Sequence, residues 1–318
     1  MLQGGKVSKL STFRLLPPIC RSTQNNMKKI SYLVLTLSLL LTGCHTIPAE
    51  KIRPLDLRTM TFNIRNGRAN DGENRWELRK EFVCDVIRDY APDVLGVQEA
   101  FRFQLDEFRN HLPEYGEVGI GRDGDTKGEY SAILYKKKRF DVVDAGTFWL
   151  SDTPTTPSQH WGSACRRVCT WSRLIDKETN RPLYIFNTHL DHESQLARVK
   201  GLKLIMSRIQ KRSHQDPFIL MGDLNAGESN PAITYLKKTE SVDSGTRPTL
   251  VDSFRVLHPT TKEVGTFSGF KGRTDGEKID YILVEPTVQV LEASIVRTEQ
   301  AGRNPSDHYP VTAQLQFE

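Results

Sequence analysis

The stretch Phe218-Ile219-Leu220-Met221-Gly222-Asp223-Leu224-Asn225-Ala226 constrains this chain most. Four apolar residues in a row, from Phe218 to Met221, read as a short buried strand. The strand runs into Gly222, which lets the backbone bend or come close to another group. Asp223 and Asn225 share parity, so they face one side while strand geometry lasts. Taken alone, the stretch also fits a strand ending in an ordinary turn, since Gly, Asp and Asn are turn residues. Repetition elsewhere in the chain decides between the two.

Other strand-like segments also end in polar groups. Leu57–Asn63 ends in an amide, Asp93–Glu99 in a carboxylate, and Leu183–His189 in Asn187-Thr188-His189. Asp280 sits within Ile279-Asp280-Tyr281-Ile282, on the segment Ile279–Val284. Ser306-Asp307-His308 leads into a last strand, Val311–Phe317. Catalytic groups gathered where scaffold strands meet loops are the usual arrangement of α/β enzymes.

Between these lie segments with helical spacing of apolar residues: Trp76–Tyr90, Phe101–Leu112 and Ser194–Arg212. Pro231–Lys238 is a short helix with proline at its permitted first position. Val118–Gly121, Ser131–Tyr135, Phe140–Trp149, Thr170–Ile175, Val251–Phe254 and Val288–Val296 read as further strands. Lys136–Arg139 reads as a solvated hairpin turn. Meandering strands with helices on the crossovers fit a layered α/β sandwich. No Pro/Gly-rich linker interrupts residues 56–318, which are expected to form one domain.

The beginning of the chain reads differently. Residues 1–26 contain no acidic residue and are expected to be a non-structural extension ahead of a start at Met27. Met27-Lys28-Lys29 is a basic n-region, and Ile30–Leu41 is a Leu-rich run too short to span a bilayer. Leu41-Thr42-Gly43-Cys44 resembles a bacterial lipobox. Residues 27–44 are therefore expected to be a lipoprotein signal, with Cys44 lipidated and residues 45–55 a tether. The expected location is the cell envelope, exported and held to a membrane by the lipid.

This reading changes the charge balance. The chain has 44 Lys and Arg against 39 Asp and Glu. Residues 1–44 hold six of the basic residues and none of the acidic ones, which leaves 38 against 39. A mature protein this neutral lacks the basic field of a tight nucleic-acid binder. Cys84, Cys165 and Cys169 form no CxxC or Cys/His array for structural zinc. Cys165 and Cys169 read as buried free thiols.

Six segments in order carry a resemblance. Thr61-Phe62-Asn63-Ile64, Gln98-Glu99, Asn187-Thr188-His189, Gly222-Asp223-Leu224-Asn225, Ile279-Asp280-Tyr281 and Ser306-Asp307-His308 together resemble the endonuclease/exonuclease/phosphatase superfamily, the DNase I-like fold. The resemblance implies a four-layer α/β/β/α sandwich: two packed, mostly antiparallel sheets flanked by helices. It also implies metal-dependent hydrolysis of phosphate esters. A hard divalent cation, Mg²⁺ or Mn²⁺, suits that chemistry, because it draws charge from a phosphate and prefers oxygen ligands.

Roles follow residue by residue. Glu99 is the expected metal ligand, with Asn63 and Asp307 as helpers, directly or through water. Asp223 would orient or deprotonate the attacking water, and Asn225 would hold the phosphate or that water. His189 and His308 can titrate near neutral pH. By resemblance Asp280 would orient His308 and Glu129 would orient His189. Arg167 would contact phosphate, its fork matching phosphate oxygens, although Arg166 is adjacent. His192 is expected to be a loop residue.

One departure is informative. Abasic-site endonucleases of the superfamily carry an acidic residue two positions after the first-strand Asn, where this chain has Arg65. That weakens a repair reading.

The expected substrate is a phosphodiester outside the cytoplasm, in nucleic acid or a smaller molecule. The alternative is a phospholipid or phosphosugar headgroup. A third reading, from another class, is a non-catalytic binding lipoprotein on a retained fold, and the full set of polar strand ends argues against it. Trp149, Trp161, Trp171, Phe267 and Phe270 are candidates to line a substrate pocket. No protein partner is indicated, and a monomer is expected.

Overall fold

The computed structural model describes residues 53–237, 240–242, 245–247 and 249–318. The signal segment, Cys44 and residues 45–52 of the tether lie outside the described residues. Two six-stranded sheets form the body. In chain order the strands of the first sheet are β1 (Leu55–Asn63), β2 (Val94–Ala100), β3 (Tyr115–Val118) and β4 (Tyr130–Lys136). The second sheet begins with β5 (Phe140–Trp149), β6 (Val168–Asp176), β7 (Pro182–His189) and β8 (Phe218–Asp223). β9 (Glu240–Val242) and β10 (Gly245–Arg247) make a separate two-stranded ribbon. β11 (Val251–Asp252) and β12 (Asp280–Val284) complete the second sheet, while β13 (Gln289–Ile295) and β14 (Val311–Phe317) return to the first.

The sheet orders are β13-β14-β1-β2-β4-β3 and β11-β12-β8-β7-β6-β5. Each sheet is antiparallel except at one pair: β1 with β2, and β7 with β8. Parallel neighbours need a long crossover. Helix α1 (Trp76–Tyr90) supplies the first, and α3 (Gln195–Gln210) the second. α2 (Arg102–His111), α4 (Pro231–Lys237) and α5 (Ser253–Leu257) are the other α-helices among the described residues.

Side-chain alternation builds three apolar layers. Between the sheets, Leu57, Ile133, Ile185, Ile219, Met221, Ile282 and Val311 pack into one core. Phe62, Val83, Ile87, Leu105 and Phe108 fill the layer between the first sheet and α1 and α2. Leu202, Ile205, Leu220, Ile233 and Tyr281 fill the layer between the second sheet and α3 and α4. The architecture is the expected four-layer sandwich. No helix among the described residues is long and apolar enough to cross a membrane.

Three local expectations are corrected. The expected strand Val118–Gly121 ends at Val118, because Gly119 takes φ 140° and Gly121 N–H turns back to Asp125 O at 2.8 Å. The expected strand Val251–Phe254 stops after two residues, because the Asp252 carboxylate accepts the Phe254 N–H at 3.1 Å and caps α5. Lys136–Arg139 is no hairpin, since β4 and β5 belong to different sheets. Lys136 reaches Asp93 at 3.1 Å, and Arg139 bonds Asp176 at 2.7 Å. Those carboxylates sit at the seam of the two sheets, so two of the four cations pin a crossover.

Candidate active site

Strand register assembles one half of the site. The parallel pairing of β7 and β8 sets His189 opposite Asp223, and the antiparallel pairing of β8 and β12 sets Asp223 opposite Asp280. The three residues form one row across three strands. Gly222 makes this possible. It takes φ 141°, and a Cβ there would stand 1.9 Å from Thr188 O.

His308 enters the row from the loop before β14. Its Nδ1 lies 2.9 Å from Asp280 Oδ2, and its Nε2 lies 3.7 Å from Asp223 Oδ2. His189 Nε2 approaches the same Asp223 oxygen at 3.4 Å. Burial and the neighbouring Asp280 push the Asp223 carboxyl up to about 7. Burial opposes the charged form of His308, but Asp280 and Asp223 together hold it well above the ordinary imidazole range. Burial, with Arg167 and His308 adding, drives His189 well below it.

The other half comes from the first sheet. Pairing of β2 with β4 slips between Val97 and Ala100, and Glu99 at this bulge takes φ 61°. A left-handed carboxylate residue on a strand is strained. Two donors fix Glu99: Asn63 Nδ2 at 3.0 Å and Asn66 N–H at 2.8 Å. Burial works against its charge, yet the Asn63 bond and the His308 charge hold it below the usual carboxylate range. Asp307 accepts from Ser306 Oγ at 3.2 Å and faces Arg65 at 3.5 Å. Burial raises Asp307, opposed by His308 and reinforced by Glu99.

Asn63 joins the halves. Its amide nitrogen donates to Glu99 and, at 3.0 Å, to Asp223 Oδ2. Its oxygen accepts the Arg65 N–H at 3.0 Å. The sequence suggests Asn63 as a helper in metal binding, directly or through water. In the structure its amide nitrogen holds both carboxylates in place.

The walls of the cleft, ≈ 490 Å³, carry Arg65, Asn66, Arg122, Glu129, Arg167 and His192. Arg167 is buried, its Nη2 2.8 Å from His192 Nδ1, and its Nε faces Asp191 Oδ2 at 3.6 Å without a hydrogen bond. Arg166 points away to Asp123 at 2.8 Å. Asn225 takes φ 45° and hydrogen-bonds Leu190 O at 3.0 Å, which leaves it beside Asp223.

The expected pairing of Glu129 with His189 is not formed. Glu129 is held by Arg122 at 2.5 Å and Asn66 at 3.1 Å, and burial disfavours the charged imidazole of His189 that would compete for it. Of the five aromatic candidates only Phe267 lines the cleft, edge-on to His308 at 5.1 Å. Trp149 is buried and donates to Arg122 O at 2.7 Å, and Trp171 packs near Tyr184 on the outer face of the second sheet. The three described cysteines are free, with Cys165 only half-buried.

Sequence reasoning missed several supports. Arg79 is buried on α1 and donates to Ile64 O at 2.6 Å, Pro305 O at 3.0 Å and Arg65 O at 3.0 Å. It staples the loop after β1 to the loop carrying Asp307. Its place between Trp76 and Val83 on the apolar stripe was the available signal. Gln98 donates to Asn187 at 2.7 Å, and Asn187 donates to Val97 O and Ala132 O, which ties the sheets together beneath the site. His192, expected as a plain loop residue, reaches the wall through Arg167.

The residues fit a hard cation. Glu99 and Asp307 face one cleft, where burial and the neighbouring Glu99 raise Asp307, so the oxygen-rich pair gains from a divalent ion. A second grouping, Asp223, Asp280 and His308, has ligand atoms within 4.8 Å of one another. Asp280 and Asp223 there favour the charged form of His308, which works against metal binding by the ring. That grouping is better suited to moving protons.

A carboxylate pair for a cation beside histidine–aspartate pairs, on this sandwich, defines a hydrolase of phosphate esters. A model of the Endonuclease/Exonuclease/phosphatase family matches residues 60–308, and the chain belongs to that family. An endonuclease/exonuclease/phosphatase from Bacteroides vulgatus is 34% identical, with a TM-score of 0.75, covering 83% of this chain and 100% of that one. A mannosyl-6-phosphatase from Bacteroides thetaiotaomicron is 30% identical, with a TM-score of 0.71, covering 81% and 99%. Among curated proteins, nocturnin of Drosophila melanogaster is 25% identical over an alignment of 316 positions, which covers 82% of this chain and 47% of nocturnin. The chain thus spans about half the length of that relative.

Proposed function

We propose that this enzyme hydrolyses phosphate esters of small, hydroxyl-rich groups, phosphosugars first, and acts outside the cytoplasm on a lipid anchor at Cys44. The lining of the cleft carries this reading. Its walls are mostly arginine, histidine, amide and carboxylate, with Cys165, Ile279 and Phe267 the exceptions. Polar walls suit hydroxyls and a charged phosphate. They offer little to an acyl chain and few platforms for stacked bases. The mannosyl-6-phosphatase likeness supports the same choice. The phosphodiester, the first expectation from the sequence, becomes the second reading.

Each side chain then has a task. Asp223 takes a proton from the attacking water, since its carboxyl titrates near neutrality. His308, charged and braced by Asp280, donates to a phosphate oxygen as charge grows there. Arg167, whose Nε makes no hydrogen bond, offers its guanidinium to a second phosphate oxygen. Asn225 and His189 flank the water. Glu99 and Asp307 would hold Mg²⁺ or Mn²⁺, whose charge favours attack on the phosphate.

The test uses soluble protein starting at residue 45, with Mg²⁺, Mn²⁺ or EDTA. Substrates are hexose 6-phosphates, a chromogenic diester, plasmid DNA, RNA and phospholipid vesicles. EDTA-sensitive phosphate release from the hexose phosphates is expected to dominate. Metal-dependent nicking of plasmid with inert hexose phosphates overturns the substrate reading. For location, full-length chain is expected in the membrane fraction and its Cys44→Ala variant outside it; an unchanged distribution overturns the anchor.

A further inference from the structure

Lys278 is completely buried, and the chemistry described so far does not use it. Its ammonium group donates to Asp280 O at 2.9 Å and pairs with Asp252 Oδ2 at 3.0 Å. It also lies 3.5 Å from the centroid of the Tyr281 ring. The single Tyr281 O–H is shared between Lys278 O at 2.6 Å and Ala226 O at 2.9 Å, which returns the network to the loop after Asp223. Two N–H groups, of Ile279 and Asp280, converge on Thr266 Oγ1. The segment 278–281 is therefore clamped from both sides, directly beneath the carboxylate that braces His308. A buried lysine is costly, and core packing alone would be served as well by methionine.

We infer that Lys278, with Asp252 as its counter-ion, is a positioning residue: it fixes the backbone of Asp280 so that the Asp280 carboxylate holds His308 in line. The inference rests on the role given above to the Asp280–His308 pair. Reaction geometry is sensitive to small displacements, so loss of the clamp should act on turnover while leaving substrate affinity in place.

Four variants test it in the full domain. Lys278→Met strands Asp252 and is expected to lower both Tm and kcat. Lys278→Met with Asp252→Asn removes the unpaired charge and keeps an oxygen to cap α5. That double variant should regain Tm, yet keep kcat about tenfold or more below wild type with KM within about twofold. Wild-type kcat at recovered Tm overturns the inference and leaves Lys278 a structural residue. Lys278→Gln keeps an N–H for Asp280 O without the charge and should exceed Lys278→Met in kcat. Equal kcat in those two, at equal folded fraction, also overturns it, and this comparison holds even if the double variant does not fold. His308→Ala is measured alongside. Full activity there overturns the role of the pair itself, whereas its loss with unaffected Lys278 variants overturns the clamp alone.

Discussion

Glu99, half-buried, and Asp223, fully buried, are two carboxylates joined by one amide, Asn63, and they are shifted in opposite directions. Glu99 receives an amide and a backbone N–H, so its charge is stabilised within the fold. Asp223 also accepts N–H groups, but it is fully enclosed and has Asp280 beside it in the strand row. Environments that push two carboxyl groups apart assign them different tasks. The group kept ionised can hold a cation. The group near neutrality can exchange a proton with water. The difference comes from architecture: Glu99 sits on a bulge that turns it toward donors, while Asp223 ends a regular strand wedged between two others.

Substitutions at the two carboxylates should separate these tasks. Asp223→Asn is expected to lower kcat at least about a hundredfold, within the range for a lost general base. Added metal should not restore it. Glu99→Gln should lose less at saturation, about tenfold, with the metal concentration for half-maximal activity raised by a similar factor. Titrating Mg²⁺ against both variants checks the contrast. If Asp223→Asn recovers with metal and Glu99→Gln does not, the tasks are reversed.

Most of the frame was legible because the period of apolar residues is a local property. For Trp76–Tyr90, Phe140–Trp149 and Val311–Phe317 the expected bounds are the observed ones. The site row was legible as strand ends, Asn187-Thr188-His189 and Gly222-Asp223, because parallel strands deliver their carboxyl ends together. Partner choice was not legible. Glu129 had Arg122 seven residues away and Asn66 across the cleft, and nothing in Gly128-Glu129-Tyr130 tells which donor arrives. The Lys136–Arg139 run misleads for a similar reason, since its carboxylate partners, Asp93 and Asp176, are distant in sequence. The bulge at Glu99 left no mark in Gln98-Glu99, because the slip is set by pairing with β4.

The opposite displacements of the two carboxyls also predict how stability depends on pH in metal-free protein. Asp223 has a raised carboxyl in the folded state. Its contribution to stability is therefore fully present below the ordinary carboxylate range and is lost as pH rises through about 7. Glu99, held low, contributes the other way: its share is present above the ordinary range and lost as pH falls through its depressed value. Urea unfolding in EDTA between about pH 4.5 and pH 7.5 should thus show a falling component that Asp223→Asn removes. One proton held by the folded chain and not by the unfolded one sets its steepest slope, about 1.4 kcal/mol for each pH step of one. Saturating Mg²⁺ should flatten the same component in wild type, because a cation near Asp223 favours the ionised form. A slope unchanged in Asp223→Asn would place the raised group elsewhere.

The smallest effect should come from the wall. Glu129 is raised by burial, with Arg122 opposing, and it touches neither His189 nor Asp223. Were it the orienting partner of His189, Glu129→Gln would cut kcat by orders of magnitude, as loss of an imidazole's carboxylate does in a catalytic triad. On the observed geometry its task is to hold Arg122 and Asn66 in place along the cleft. Glutamine retains an oxygen for Asn66 and loses only the charge facing Arg122. We expect kcat within about threefold of wild type and KM for a sugar phosphate changed by a similar factor, since a freed Arg122 alters binding before it alters chemistry. Steady-state kinetics on the single variant decide the matter. A collapse of kcat with KM intact would return Glu129 to the acid–base half of the site and erase the division between wall and row.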